Sequence, residues 1–512
     1  MADGSDAVGQ GLVRRFADDG AAEDTKALLQ DTDADPTVQQ LASPTDLKPK
    51  PTKNAPLLWC DGIRGVASQI VFTFHLQYWF LFMEQYYGHT WFRALRAGNA
   101  AVEMFLILSG FVLSVRFFER MQVIERACAL QDATTVRNVY VDAYHSIAST
   151  GLRRVPRLFG PVVIGGVVSI FYTWWRGYAI ELGTLSIEMF KTLFIIYPGF
   201  NSTLWTLRVE LEGSLFTLAL CVLLSKLRYH HRVAVCLLAL PIFHNQWGDW
   251  TGEKSHYFGC FVLGVLMANI ITKQKHQLVH GPLPPRALNP APVFPRAVPN
   301  TLGASLETLG ISLCYLVYHA WGFVHGIWSA TRHAIQRLPS RLETIVTNTA
   351  YVSLFLVGGY LFSYRPEYGP EYGLWHDAVH VVFVKEHARM LHRLGSCMIL
   401  YAVCYSSWLQ LFFASRLARY WGRISFLLYV LHWPLVLFLG DYIKPWALAR
   451  GWSDERAKLF TAAVVYWLAH VLAHLATVYL DEPYVKWLAS MEKRLEMKVA
   501  IASPIAADAH VA

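Results

Sequence analysis

Charged residues are scarce in this sequence, at 16% of its 512 residues. A soluble chain usually carries about 25%. The shortage accompanies many separate apolar runs, and the two features together exclude an ordinary soluble protein. We expect an all-α fold, a polytopic membrane bundle of about ten or eleven transmembrane helices. Its expected location is the endomembrane system or the plasma membrane.

The sequence also shows neither a CxxC cysteine motif nor a visible cleavable signal peptide. The eight cysteines are scattered without a CxxC pair, so neither a disulfide framework nor a zinc ribbon is indicated. Residues 1–55 are polar and lack the apolar core of a signal peptide. We expect them to form a disordered tail, which Lys48, Lys50 and Lys53 place on the cytosolic side. The other basic residues cluster between spans, which is typical of topology determinants and does not indicate a nucleic-acid surface.

The apolar runs define a membrane domain over residues 56–490, followed by a C-terminal tail at 491–512. A proline-rich cytosolic linker interrupts the domain at about 276–299, because closely spaced prolines are incompatible with a helix. The candidate spans are, in chain order, Leu58–Met83, Asn99–Phe118, Leu158–Trp175, Ser202–Ser225, 233–247, 256–272, 302–322, 346–363, 394–413, 423–443 and 458–480.

The first candidate span carries a charge near its start and a histidine deep inside. Arg64 lies one turn into the helix, and His75 follows eleven positions later. In a helix this spacing returns to nearly the same face and descends roughly 16 Å, about half the hydrocarbon core. An ionisable group at that depth predicts a functional site. The alternative is a histidine that only hydrogen-bonds a neighbouring helix.

Three arginines lie together at the start of the third span: Arg153, Arg154 and Arg157. One interpretation is anchoring of the cytosolic side by positive charge. The other is a phosphate clamp, because guanidinium groups bind phosphate oxygens in pairs of hydrogen bonds.

The fourth span contains Arg208, Glu210 and Glu212 in its outer half. Arg208 and Glu210 are two positions apart and therefore point to different faces, which argues against a local ion pair between them. We expect each of the three side chains to face the bundle interior or a wet cavity.

Two late segments carry histidines. Tyr429 and His432 lie one helical turn apart, just before Pro434, and a proline inside a span is tolerated beside a cavity. His470 and His474 share a helix face, but neither an HExxH motif nor a third ligand accompanies them. We therefore predict no metal site.

Six segments resemble, in the same order, the acyltransferase 3 family of multi-spanning membrane O-acyltransferases, in particular its fungal-type members. The segments are WCDGIRGVASQIVFTFH, FLILSGFVL, RRVPR, LWTLRVE, ISFLLYVLHWP and DEPYVKW. The first contains Arg64 and His75 in an Arg-x10-His pattern, and the third contains Arg154 and Arg157 in an RxxR pattern. The fourth contains Trp205 and Glu210, and the fifth contains Tyr429 and His432. The resemblance covers about residues 56–490.

The resemblance implies transfer of an acyl group, in the first instance acetyl, from acyl-CoA to a hydroxyl of a sugar, glycan or small metabolite. Acyl-CoA would be a substrate, with no permanently bound cofactor, and the other partners would be a hydroxyl-bearing acceptor and membrane lipid. The resemblance implies that His75 and Glu210 are catalytic. It implies that the substrate-binding residues are Arg64, Arg153, Arg154, Arg157, Trp205, Tyr429 and His432.

The chemistry of these side chains is compatible with that role. A neutral imidazole can take a hydroxyl proton near pH 7, and arginines can hold the phosphates of coenzyme A. Glu210 could orient the imidazole or bind acceptor hydroxyls, and both roles stay open.

A secondary transporter that relays protons through buried histidine and glutamate is the alternative function. Transporters often contain internal repeats of the span pattern, and none is visible in this sequence. An arginine cluster beside one early histidine also suits a donor-binding enzyme better.

Overall fold

The structure is a computed structural model that describes residues 58–80, 93–176, 202–244, 255–281, 338–364 and 388–502. Within these ranges all regular structure is helical, as expected. The N-terminal tail, the candidate span at 302–322 and the proline-rich part of the linker lie outside them. The helices are, in chain order, α1 Leu58–Phe80, α2 Gly98–Ala129, α3 Ala133–Trp175, α4 Trp205–Leu224, α5 Tyr229–His244, α6 Phe258–His280, α7 Ser340–Phe362, α8 Ala388–Tyr405, α9 Ser407–Phe413, α10 Arg416–Ala449, α11 Asp454–Ala476 and α12 Glu482–Ala502.

Several of these helices have the length and composition of membrane spans, which confirms an integral membrane protein. Among the described residues, five segments qualify, and a sixth does if α8 and α9 form one broken span. The total of about ten or eleven spans remains a prediction. The five segments are Gly98–Ala129, Ala133–Trp175, Ser340–Phe362, Arg416–Ala449 and Asp454–Met491.

Helix α1 is not among these five segments, although the sequence predicts a span there. It forms the expected helix and packs mainly against α10 and α2. Its polar side chains lower its mean hydropathy, and two of them, Gln69 and Gln77, are buried against other helices. A helix that is enclosed by apolar neighbours can carry such residues without exposing them to lipid.

Helices α2 and α3 extend well beyond the predicted spans. They contain 32 and 43 residues, or roughly 48 and 65 Å at the rise of an α-helix, and the hydrocarbon core is only about 30 Å thick. A tight turn joins them, in which the Asp132 carboxylate accepts hydrogen bonds from the backbone and hydroxyl of Thr135. The predicted boundaries are too short because an apolar run reports where a helix meets lipid, not where the helix ends.

The candidate span at 394–413 is not one straight helix. Helices α8 and α9 meet at an angle of 103°. Between them, the Ser406 hydroxyl donates to the side-chain oxygen of Asn348 on α7 (2.8 Å), which also accepts from the Trp408 backbone N–H (3.2 Å). This buried polar contact replaces the helical hydrogen bonds that the bend interrupts.

Two other boundaries also differ from the predictions. Helix α6 continues to His280, so the linker cannot begin at 276, and helix α12 continues to Ala502 through the first half of the expected C-terminal tail.

Helix α10 is the central element of the described bundle, because α1, α3 and α11 all pack against it. The contact with α1 is close enough to require glycine. A Cβ atom placed on Gly65 would lie 2.5 Å from both the Ala418 carbonyl oxygen and the Gly422 backbone nitrogen. On the other side of the contact, a Cβ on Gly422 would lie 2.1 Å from the Asp61 carbonyl oxygen. The two backbones therefore touch directly at this end of the pair.

Gly65→Ala should lower the stability of the protein by about 1–3 kcal/mol, because the added methyl group meets backbone atoms that cannot move aside. Gly359→Ala on α7 is the matched control, since nothing lies within 4 Å of a Cβ atom at that position. Thermal unfolding of the two purified variants in one detergent, followed by size-exclusion chromatography, measures the difference. Equal melting temperatures would contradict the close approach of α1 to α10.

Candidate functional site

A cavity of about 420 Å³ lies between α1, α2, α3, α4 and α10. Five arginines line it and form what we name the arginine mouth: Arg64, Arg153, Arg154, Arg157 and Arg423. Its wall continues through apolar side chains of α2 and α10, such as Phe105 and Phe426, and reaches Thr206 and Tyr429. Glu210 and Asp481 are the acidic residues among the described lining. The cavity is therefore strongly basic at one end and mostly apolar beyond it.

The arginines of the mouth are not equivalent, because three of them form ion pairs within the protein. These pairs are Arg64 with Asp61 (2.8 Å), Arg154 with Glu210 (3.0 Å) and Arg423 with Glu482 (2.6 Å). Arg157 is exposed and attracted by Asp481, but among the described residues no carboxylate lies within 4 Å of its guanidinium. Arg153 is also exposed and donates to the Ser149 carbonyl. Arg157 thus keeps the most capacity to bind an anion, and Arg153 adds a second exposed positive charge.

Arg154 ties three helices together. Its Nη2 donates to Ser109 on α2 (2.7 Å) and to Glu210 on α4 (3.0 Å), while its Nε donates to Ser214 on α4 (3.0 Å). Only 19% of its side chain is exposed. The three members of the predicted phosphate clamp are therefore of two kinds: Arg154 lies within the wall, whereas Arg153 and Arg157 are exposed.

Of the three charges on the fourth span, only Glu210 faces the cavity. The expectation of an inward position is wrong for Arg208 and Glu212, which pair with each other (2.7 Å) and are 48% and 44% exposed. The reason is their spacing, since residues four apart share one helix face and Glu210 lies on another.

The structure brings together two histidines that are 357 positions apart. His75 Nδ1 on α1 lies 3.0 Å from His432 Nε2 on α10. His432 is 1% exposed, and its Nδ1 lies 2.6 Å from the Tyr429 carbonyl oxygen. His75 is partly exposed, with the Trp433 ring against it. We name these two residues the histidine pair.

Tyr429 stands between the cavity and the histidine pair. It lines the cavity, and its ring centre lies 5.5 Å from that of His432. Its hydroxyl donates to the Thr203 carbonyl (2.8 Å) and accepts from the Thr206 hydroxyl (2.6 Å). His75 is not among the described residues that line the cavity, so the open volume ends about one helical turn from the pair.

Two predicted site residues have other contacts. The Trp205 ring packs on Tyr257 (5.1 Å) and is not part of the described cavity lining. In the described part of the chain, the side-chain contact of Glu210 is with Arg154, whereas His75 bonds to His432. The structure therefore gives the imidazole of His75 a partner that the sequence did not suggest.

The second pair of histidines lies elsewhere. His470 Nε2 is 3.1 Å from the Gln69 side-chain oxygen, and His474 lies against the Tyr420 ring. Within the described ranges no cluster of three or more His, Cys, Asp or Glu side chains could hold a metal ion.

Sequence reasoning missed Ser109, Arg423 and Asp481 as parts of the cavity. Each lies in or directly beside a segment that carries the family resemblance, namely FLILSGFVL, ISFLLYVLHWP and DEPYVKW. Their position in or beside these segments is the sequence signal that could have identified them as site residues.

Part of the chain matches a protein-family model. Residues 57–285 match the model of the acyltransferase 3 family, whose description is an acyltransferase domain. This region of the chain is therefore similar to the acyltransferase 3 family. Comparison with curated proteins and with solved structures gave no match.

The acyltransferase 3 match supports a membrane acyltransferase and covers slightly less than half of the chain. It contains α1 to α6, and with them His75, the arginines of α3 and Glu210. His432, Arg423 and Asp481 lie beyond its end. The cavity is thus completed by α10 and by Asp481, directly before α12, outside the matched acyltransferase region.

Arg154→Met should destabilise the protein by about 1.5–3 kcal/mol, because it removes charge-assisted bonds and leaves Glu210 without its partner. The double variant Arg154→Met, Glu210→Gln should lose less stability than the sum of the losses in the two single variants, since the second change removes the unpaired carboxylate. Thermal unfolding of the single and double variants measures this coupling.

The matched control is the exposed pair on the same helix α4. Arg208→Met with Glu212→Gln should change stability by at most about 1 kcal/mol. Strictly additive effects of the Arg154 and Glu210 changes would contradict the role of Arg154 in joining the helices.

Proposed function

We propose that this protein is an integral membrane O-acyltransferase that transfers an acyl group, in the first instance acetyl, from acyl-CoA to a hydroxyl of a sugar, glycan or small metabolite. The observation that carries the proposal is the arginine mouth at one end of a cavity whose other end lies beside the histidine pair. The match of residues 57–285 to the acyltransferase 3 family supports the reaction class.

The donor site follows from the charge of the cavity. Coenzyme A carries several phosphates, and exposed arginines such as Arg153 and Arg157 are suited to hold them. The cavity volume of about 420 Å³ falls within the usual range for a small-molecule site. Its apolar wall suits the uncharged arm that carries the thioester, and in our proposal the acyl group lies at the Tyr429 end.

The chemistry requires a base for the acceptor hydroxyl. In our proposal the free nitrogen of His75 takes the hydroxyl proton while the oxygen forms a bond to the thioester carbonyl carbon. The carbon–sulfur bond then breaks, and the coenzyme A thiolate leaves and takes up the proton held by His75. No redox partner or metal is needed, and the ester and free coenzyme A are the products.

The orientation in the membrane is part of the same proposal. The arginines of the mouth would lie on the cytosolic side, where acyl-CoA is available and where positive charge is favoured beside a span. The N-terminal tail precedes α1 at that same end, so it would also be cytosolic. The acceptor would then approach His75 from the opposite side or from the bilayer.

Arg157→Ala should raise the acetyl-CoA concentration needed for half-maximal rate about ten- to a hundredfold, because a charge-assisted phosphate bond is lost. Arg419→Ala is the matched control, as an exposed arginine on α10 outside the described cavity lining. Release of the coenzyme A thiol from acetyl-CoA, with a defined mixture of mono- and disaccharides as acceptors, measures the rate. If Arg157→Ala needs the same acetyl-CoA concentration as the wild type, the arginine cluster only anchors the topology and does not bind the donor.

His75→Gln should lower acetyl transfer by about 10²- to 10⁴-fold, because glutamine keeps hydrogen-bonding groups but cannot accept a proton at neutral pH. Binding of coenzyme A should stay unchanged, since His75 lies beyond the described cavity lining. His474→Gln, at a histidine on α11 outside the described cavity lining, serves as the control. Near-normal turnover of His75→Gln would remove His75 from the mechanism.

A further inference from the structure

The hydrogen bonds of His432 determine which of its nitrogens carries the proton. Its Nδ1 lies 2.6 Å from the Tyr429 carbonyl oxygen and 3.2 Å from the Leu428 carbonyl oxygen. A carbonyl oxygen only accepts, so Nδ1 must be the donor. In a neutral imidazole the other nitrogen then has a lone pair. His432 Nε2 is therefore an acceptor directed at His75.

The same reasoning determines which ring nitrogen of His75 carries the proton. Because His432 Nε2 accepts, the hydrogen atom of the 3.0 Å contact must belong to His75 Nδ1. His75 then carries its lone pair on Nε2, the nitrogen that does not point at His432.

We propose that His432 is a positioning residue, which holds His75 in the tautomer whose Nε2 is free to take the hydroxyl proton. This inference rests on the proposed function and gives His432 a different role from the substrate contact that the sequence predicted. His432 is 1% exposed and is enclosed by His75, Phe72 and Tyr429. A side chain so enclosed acts on the reaction through His75 and not by touching the substrates.

Two substitutions at position 432 separate positioning from packing. His432→Gln keeps an amide oxygen near the place of Nε2 and can still accept from His75, whereas His432→Phe fills the space without an acceptor. We expect His432→Gln to retain most of the turnover. His432→Phe should lose about 10- to 100-fold in kcat, a range taken by analogy from the loss of hydrogen-bond partners that orient metal-bound histidines.

The KM for acetyl-CoA should stay unchanged in both variants, measured by thiol release with the full-length protein in nanodiscs. The opposite order, an active His432→Phe and an inactive His432→Gln, would show that His432 only packs. A tenfold higher KM for acetyl-CoA with unchanged kcat would show a substrate contact, and either result overturns the inference.

A spectroscopic measurement tests the inference without relying on turnover. In protein labelled with ¹⁵N-histidine, the signals absent from His75→Gln belong to His75, and their shifts distinguish a protonated from an unprotonated ring nitrogen. We expect protonated Nδ1 and unprotonated Nε2 in the wild type, and loss of that preference in His432→Phe. Protonated Nε2 in an active wild type would overturn the positioning role alone. The expected shifts in a protein that does not use acetyl-CoA would instead refute the proposed donor.

Discussion

The direct contact between the backbones of α1 and α10 is the constraint on which the site depends. Gly65 and Gly422 allow the two helices to touch, and the helices then run side by side until His75 meets His432. A side chain at either glycine would separate the helices and widen a contact that is only 3.0 Å long. Backbone packing near the arginine mouth thus sets a hydrogen bond several turns deeper, because a helix transmits such a displacement along its length.

The wall of the cavity depends on a second kind of interaction, the ion pairs between basic and acidic side chains. If no carboxylates lay among these arginines, their positive charges would repel one another whenever no anion is bound. Glu210 and Glu482 pair with Arg154 and Arg423, and the bonds of Arg154 to two serines fix its position. Arg157 is left at the opening with a weaker attraction to Asp481. The paired arginines hold the shape of the cavity, and in our proposal Arg157 is available to bind the negatively charged donor.

Periodicity in the sequence predicts what lies along one helix but not which helix packs against it. The shared face of Arg64 and His75 follows from eleven residues at 100° each, and both positions are on α1 as expected. The partner of His75 is 357 positions away, and no local pattern connects them. The bend at Ser406 was missed for the same reason, since Asn348 on another helix stabilises it. The all-helical membrane fold was predictable from composition, whereas the polar contacts between distant helices were not.

The division of the site between two parts of the chain bears on how the enzyme would work. Helices α1 to α4 lie in the region of the acyltransferase 3 match and supply His75, Glu210 and the arginines of α3. Helix α10 supplies Tyr429 and His432 from beyond it. Tyr429 is bonded to Thr203 and Thr206 at the start of α4, and its backbone carbonyl holds His432. One residue therefore joins the end of the cavity to the histidine pair, so donor binding and proton transfer would share a single rigid helix turn.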